Sequence, residues 1–142
     1  MDAADLLTSA EQALQCGKPI PAEAARWLLQ GFASYRAGAD LEEALLLRGE
    51  TGQRSVRYRQ AKATRDTHLR RACRLLNAPR PWNRTEELLS EIESYASAGW
   101  DIDYQRGAPR TDDPLRAELF AAFSAGIPLP RSAMGLHKIV SR

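Results

Sequence analysis

The chain has 142 residues, of which 44% are hydrophobic and 27% charged, and its formal net charge is +2. That is the size of one domain with apolar material for one core, which excludes wholesale disorder. No apolar run approaches 18 residues and the start, "MDAADLLTSAEQ", is acidic, so neither a membrane span nor a signal peptide is expected.

Val and Ile are few, whereas Ala, Leu, Arg and Glu are many. The chain therefore reads as all-α: one helical domain over 1–142, a compact bundle of about six helices with helix–corner–helix units near both ends. The first predicted helix covers about 2–15, with Leu6, Leu7, Ala10 and Leu14 on one face. The second covers 22–36, with Ala24, Trp27, Leu28, Gly31 and Tyr35 inward. A short third runs from an Asp40 cap to Leu47, and a long fourth covers 55–77. The fifth starts at Asn83, three before Glu86, and ends near Gly99. The sixth follows Asp113-Pro114 and ends at Gly126, and a last short helix covers 131–140. Between Gly99 and Pro114 the spacing predicts a long loop with a short extended piece at Asp101–Tyr104.

Two corners share a pattern, "GKPIP" at 17–21 and "GIPLP" at 126–130. Gly17 and Gly126 suit the left-handed conformation that ends a helix. Pro19 and Pro128 stop propagation, and Pro21 and Pro130 stand where the next helix starts. The similarity extends outward at a constant offset, as a weak internal repeat or as shared corner physics.

Charge is unevenly spread. Residues 1–47 carry three basic and seven acidic groups, net −4, and 48–74 carry nine basic and two acidic groups, net +7. On the fourth predicted helix, Tyr58, Ala61, Arg65, Leu69, Ala72 and Leu76 share one face. Arg59, Arg70, Arg71 and Arg74 take the other, with Arg57 at its edge. Asp66 is placed to pair with Arg70, while Arg70 and Arg71 crowd Arg74, and a polyanion would relieve that repulsion. Arginine also suits bidentate phosphate contact. The rival reading is a solvated face or one paired with the acidic 1–47 segment. Arg65, inside the apolar stripe, needs a partner, expected among Glu42, Glu43 and Glu91.

The loop "RGETGQRS" (48–55) lacks P-loop spacing, because Gly49 and Gly52 are too close and no lysine follows. Arg48, Arg54, Ser55 and Arg57 remain candidates for one phosphate. The C-terminal segment departs from a helix-turn-helix through its two prolines, Ser132 and Gly135, and reads mainly as a packing corner. Arg131 and Ser132 there put a cation where a helix start favours an anion.

Catalysis finds little support. His68 and His137 lack matched Ser, Cys or Asp partners, so no catalytic residue, cofactor or resident metal is assigned. Asp101, Asp103, Asp112 and Asp113 are candidates for a metal site on the long loop, with no downstream Glu-x-Lys to complete a nuclease-like set. Cys16 and Cys73 read as buried thiols in a reducing, cytoplasmic setting, without zinc spacing. Trp82, Trp100 and Tyr104 read as loop anchors before base-stacking rings.

The segments "PIPAEAARWLLQGFASYRAGADLEEALLL", "RYRQAKATRDTHLRRA" and "LFAAFSAGIPLPRSAMGLHKI" together resemble small helical proteins of bacterial phages and mobile elements. The resemblance implies a protein that binds DNA or blocks a host machine. The leading expectation is a non-enzymatic nucleic-acid-binding protein, a regulator, using Arg48, Arg54, Arg57, Arg59, Arg70, Arg71, Arg74, Arg131 and Ser132. The alternative is an inhibitor or adaptor that engages an acidic host protein, such as an anti-defence protein; a homodimer stays open.

Overall fold

The computed structural model describes residues 1–49 and 54–142. Among them there are eight helices and no strand. The chain divides into two compact units, Met1–Arg59 and Gln60–Arg142. Among the described residues no helix is long and apolar enough to cross a membrane.

The first unit holds α1 (Ala3–Gln15), α2 (Ala22–Arg36) and α3 (Leu41–Ala44), and then the first turn of α4 (Val56–Arg74). Asp2 and Asp5 form a capping box at α1, which satisfies orphan amides and complements the helix dipole. Gly17, at φ 63°, ends α1, and Lys18 N–H returns to Ala13 O at 2.8 Å, an arrangement that costs any residue with a Cβ. The core here is small: Leu6, Ala10 and Ala24 pack with Ile20, Trp27 and Leu28. Gly31 lets α3 lie directly on α2, since a Cβ there would run into Leu45. Trp27 Nε1 donates to Leu45 O (3.2 Å) and fixes the same junction.

Leu14 and Tyr35, expected inward, are exposed, each in the last two residues of its helix. Cys16 is exposed as well, being the residue just past α1.

The second unit takes the rest of α4, then α5 (Pro81–Ala98), α6 (Trp100–Arg106), α7 (Pro114–Ser124) and α8 (Ala133–Val140). Leu69 and Ala72 of α4, Leu88, Ile92 and Tyr95 of α5, Leu119 and Ala122 of α7, and Leu136 of α8 form one buried core. Their spacing of three and four is the apolar stripe of an amphipathic helix.

Several boundaries differ from expectation. The fifth helix starts at Pro81, not Asn83, since a proline at the first position has its φ already set. The last starts at Ala133, with Ser132 Oγ accepting Gly135 N–H (3.1 Å), so Pro130 stays outside it. The expected loop with an extended piece at 101–104 is the helix α6, ended by Gly107. Trp100 holds it down, with ring centroids 5.2 Å from Phe123 and 5.8 Å from Phe120. This helix accounts for part of the difference between eight and about six.

Candidate nucleic-acid interface

The basic residues of α4 belong to both units. In the first unit Arg57 and Arg59 are exposed. Arg59 Nη1 lies 3.4 Å from Asp2 Oδ2, and Arg48 Nη2 lies 3.2 Å from Asp40 Oδ1. Both pairs are about half exposed, and pairs so exposed to water add little to stability. Backbone amides first, and Arg59 besides, hold the Asp2 carboxyl below its ordinary value. The guanidinium of Arg54 lies 4.9 Å from the centre of the Tyr58 ring, a cation–π contact. Residues 50–53 of the loop 48–55, Gly52 among them, lie outside the described residues.

In the second unit the basic face is sorted by burial. Arg70 is half-buried and donates from Nε to Ile139 O (3.0 Å), which ties α4 to α8. Arg71 and Arg74 are exposed and make no ion pair or side-chain hydrogen bond among the described residues. They fill the last turn of α4, where the helix dipole favours cations. Three apart on a helix, their Cβ atoms are about 5–6 Å from each other. Arg131 is also exposed, while the Ser132 hydroxyl is used as the cap of α8.

Asp66 does not pair with Arg70. Its Oδ1 accepts Nε and Nη2 of Arg65, at 2.9 and 2.6 Å. Arg65, only 7% exposed, completes its set by donating Nη1 to Pro128 O at 2.7 Å. The expected partners Glu42, Glu43 and Glu91 are not used. A buried guanidinium tolerates this place because a neighbouring carboxylate and an unpaired corner carbonyl satisfy it. Arg65 therefore braces the corner before α8.

His68 Nδ1 donates to Glu118 Oε2 at 2.6 Å, linking α4 to α7. His137 Nδ1 lies 3.0 Å from the hydroxyl of buried Thr85, and its ring meets Trp82 edge-on at 5.2 Å. The Thr85 hydroxyl is fully buried and itself donates to Pro81 O at 3.1 Å. Trp100 is a core anchor as expected, whereas Trp82 keeps 42% of its surface exposed.

One buried centre was not legible in the sequence. Asp103, fully buried, accepts the Tyr95 hydroxyl at 2.9 Å and Arg110 Nε at 3.1 Å. Burial alone would raise its pKa, but the Tyr95 hydrogen bond together with Arg116 and Arg110 outweighs burial and holds it below the ordinary value. Burial and then the Asp103 carboxylate push the Tyr95 hydroxyl above the ordinary tyrosine range. Arg116 stacks over the Tyr95 ring at 4.7 Å. Beside it lies a cavity of about 330 Å³, lined among others by Glu91, Ser94 and Leu119 and by no histidine or cysteine.

Two of the four candidate aspartates are already engaged: Asp103 is spent on Tyr95 and Arg110, and Asp113 caps α7. Among the described residues no group of three His, Cys, Asp or Glu gathers as a metal site would require. Comparison with protein families, with curated proteins and with solved structures finds no match to this chain.

Proposed function

We propose that the chain is a non-enzymatic nucleic-acid-binding protein whose Arg71 and Arg74 contact phosphates. The observation that carries this reading is the pair itself: two exposed guanidiniums, side by side, without a carboxylate. An exposed surface helix with no anionic ligand gains from interspersed acids, and here the acids are missing. Planar, always-charged guanidiniums match phosphate oxygens in a fork. Arg57, Arg59, Arg48 and Arg54 of the first unit, and Arg131 of the second, are further contacts of their own, with Arg48 and Arg59 needing to exchange an exposed aspartate for a phosphate.

The test is a titration with labelled oligonucleotides over a range of salt. Binding should weaken steeply with salt, and the Arg71→Ala/Arg74→Ala variant should reduce the log–log slope by about 2. Absence of any DNA or RNA binding at low salt ends the reading.

A second reading has its own observation. The first unit exposes Leu14, Leu29, Phe32, Tyr35, Leu41 and Leu46, more large apolar side chains than it buries. Such surface favours a protein partner, as for an inhibitor or adaptor of a mobile element. A stoichiometric partner retained from cell extract after nuclease treatment supports this reading over the first.

A further inference from the structure

Between Asp66 and Glu86 the chain has no acidic residue. Those nineteen positions, 67–85, hold five arginines: Arg70, Arg71, Arg74, Arg80 and Arg84. They form the end of α4, a short connection and the first turn of α5, all within the second unit. Arg80 is exposed and precedes Pro81, so a cation and not a capping acid stands at the start of α5. Arg84 is half-buried, and its Nε is buried without an acceptor among the described residues. The corner thus concentrates positive charge that the protein leaves uncompensated.

An aromatic ring stands in the middle of it. Trp82, the second residue of α5, is 42% exposed, while the other tryptophan of this unit, Trp100, packs against the core. Its orientation is braced: His137 meets it edge-on, and His137 is in turn held by Thr85, whose hydroxyl also donates to Pro81 O (3.1 Å). A fixed, exposed indole on a segment whose only charged side chains, apart from His68, are arginines has the two parts that single-stranded nucleic acid requires. Cations track the phosphates, and a π-face takes an unpaired base. In a duplex the base faces are covered by stacking, and a ring on the protein surface gains nothing from them.

We infer that the α4–α5 corner binds single-stranded nucleic acid, with Arg71, Arg74 and Arg80 on phosphates and Trp82 stacked on a base. This rests on the nucleic-acid reading above and narrows it. Glu86, one turn beyond Trp82 on α5, bounds the site and opposes the backbone charge.

The experiment measures anisotropy of labelled (dT)20 and of a 20-base-pair duplex, alongside intrinsic tryptophan fluorescence. (dT)20 should bind more tightly than the duplex and quench fluorescence. Trp82→Ala should weaken (dT)20 about ten-fold or more, Trp82→Phe should restore most of the loss, and Glu86→Gln should tighten binding a few-fold. Circular dichroism of each variant checks the fold, and the Phe variant keeps the test decisive if the Ala variant unfolds. If the duplex binds as tightly as (dT)20, and Trp82→Ala changes nothing while Arg71→Ala/Arg74→Ala abolishes binding, this inference is overturned and the broader reading stands. If neither nucleic acid binds at low salt, both fail.

Discussion

The two units use similar apolar material to different ends. The second buries Leu69, Leu88, Ile92, Tyr95, Leu119 and Leu136 in one continuous core. The first buries few large side chains, and its closest-packed positions are mostly Ala and Gly. Meanwhile Leu29 is 69% exposed and Leu46 71% exposed, the latter at φ 55°, a left-handed conformation that costs a non-glycine residue about 1 kcal/mol or more. Hydrophobic stabilisation follows area removed from water, so the second unit has the larger share of it. The difference teaches that a helical pattern alone does not say which apolar face is core. In the second unit the stripes meet each other; in the first, part of them is left to solvent.

The largest effect should come from cutting into the better core. Leu88 is fully buried, and Leu88→Ala should cost about 3 kcal/mol in denaturant unfolding, through lost burial and a residual cavity. A loss below about 1 kcal/mol would break the contrast. Next comes the junction that lets the first unit pack at all. Gly31→Ala gains helix propensity yet drives a methyl into Leu45, so a net loss of about 1–2 kcal/mol is expected in the same measurement.

The buried polar centre gives a smaller effect with a pH signature. Tyr95→Phe removes the hydroxyl that Asp103 accepts and should cost about 1–2 kcal/mol. The folded pKa of Tyr95 is raised, so its contribution is complete below the unfolded tyrosine value of about 10 and is lost as pH rises from there toward the folded value. An alkaline unfolding series should therefore show stability falling above about pH 10, and the Phe variant should flatten that slope. Asp103 has the opposite sign: its folded pKa is lowered, so its contribution is lost as pH falls below about 4. Smallest of all, Leu29→Lys should change stability by less than about 0.5 kcal/mol, since the side chain is already in water. A large destabilisation there would mean that Leu29 is core after all.

Local chemistry made much of the fold readable. Asp40, Asp113 and Pro114 mark helix starts because a short acid accepts orphan amides and proline is preset at the first turn. Gly17 and Gly126 mark stops because only glycine takes φ near +60 to +75° freely. The range 22–36 was legible to the residue, as a helix between two such signals. The start of the fifth helix was misplaced because Asn83 offers a capping signal as good locally as Pro81 does. The segment 100–106 reads as loop because it lies in the long span between Gly99 and Pro114, while helicity is secured by Trp100 packing on α7.

The candidate site divides in the same way. The sequence by itself determined the all-helical class and the concentration of arginine in α4, since propensity, caps and charge are properties of neighbours along the chain. Only the tertiary structure decided which arginines are free. Arg65 is drawn inside by Asp66 and the Pro128 carbonyl, Arg70 is tied to Ile139, and Arg71 and Arg74 are left in solvent. The same is true of Asp103, whose burial against Tyr95 and Arg110 no spacing announces. A buried charge is stable only where partners satisfy it, and the Pro128 carbonyl for Arg65 and Tyr95 and Arg110 for Asp103 reach it only once the chain has folded.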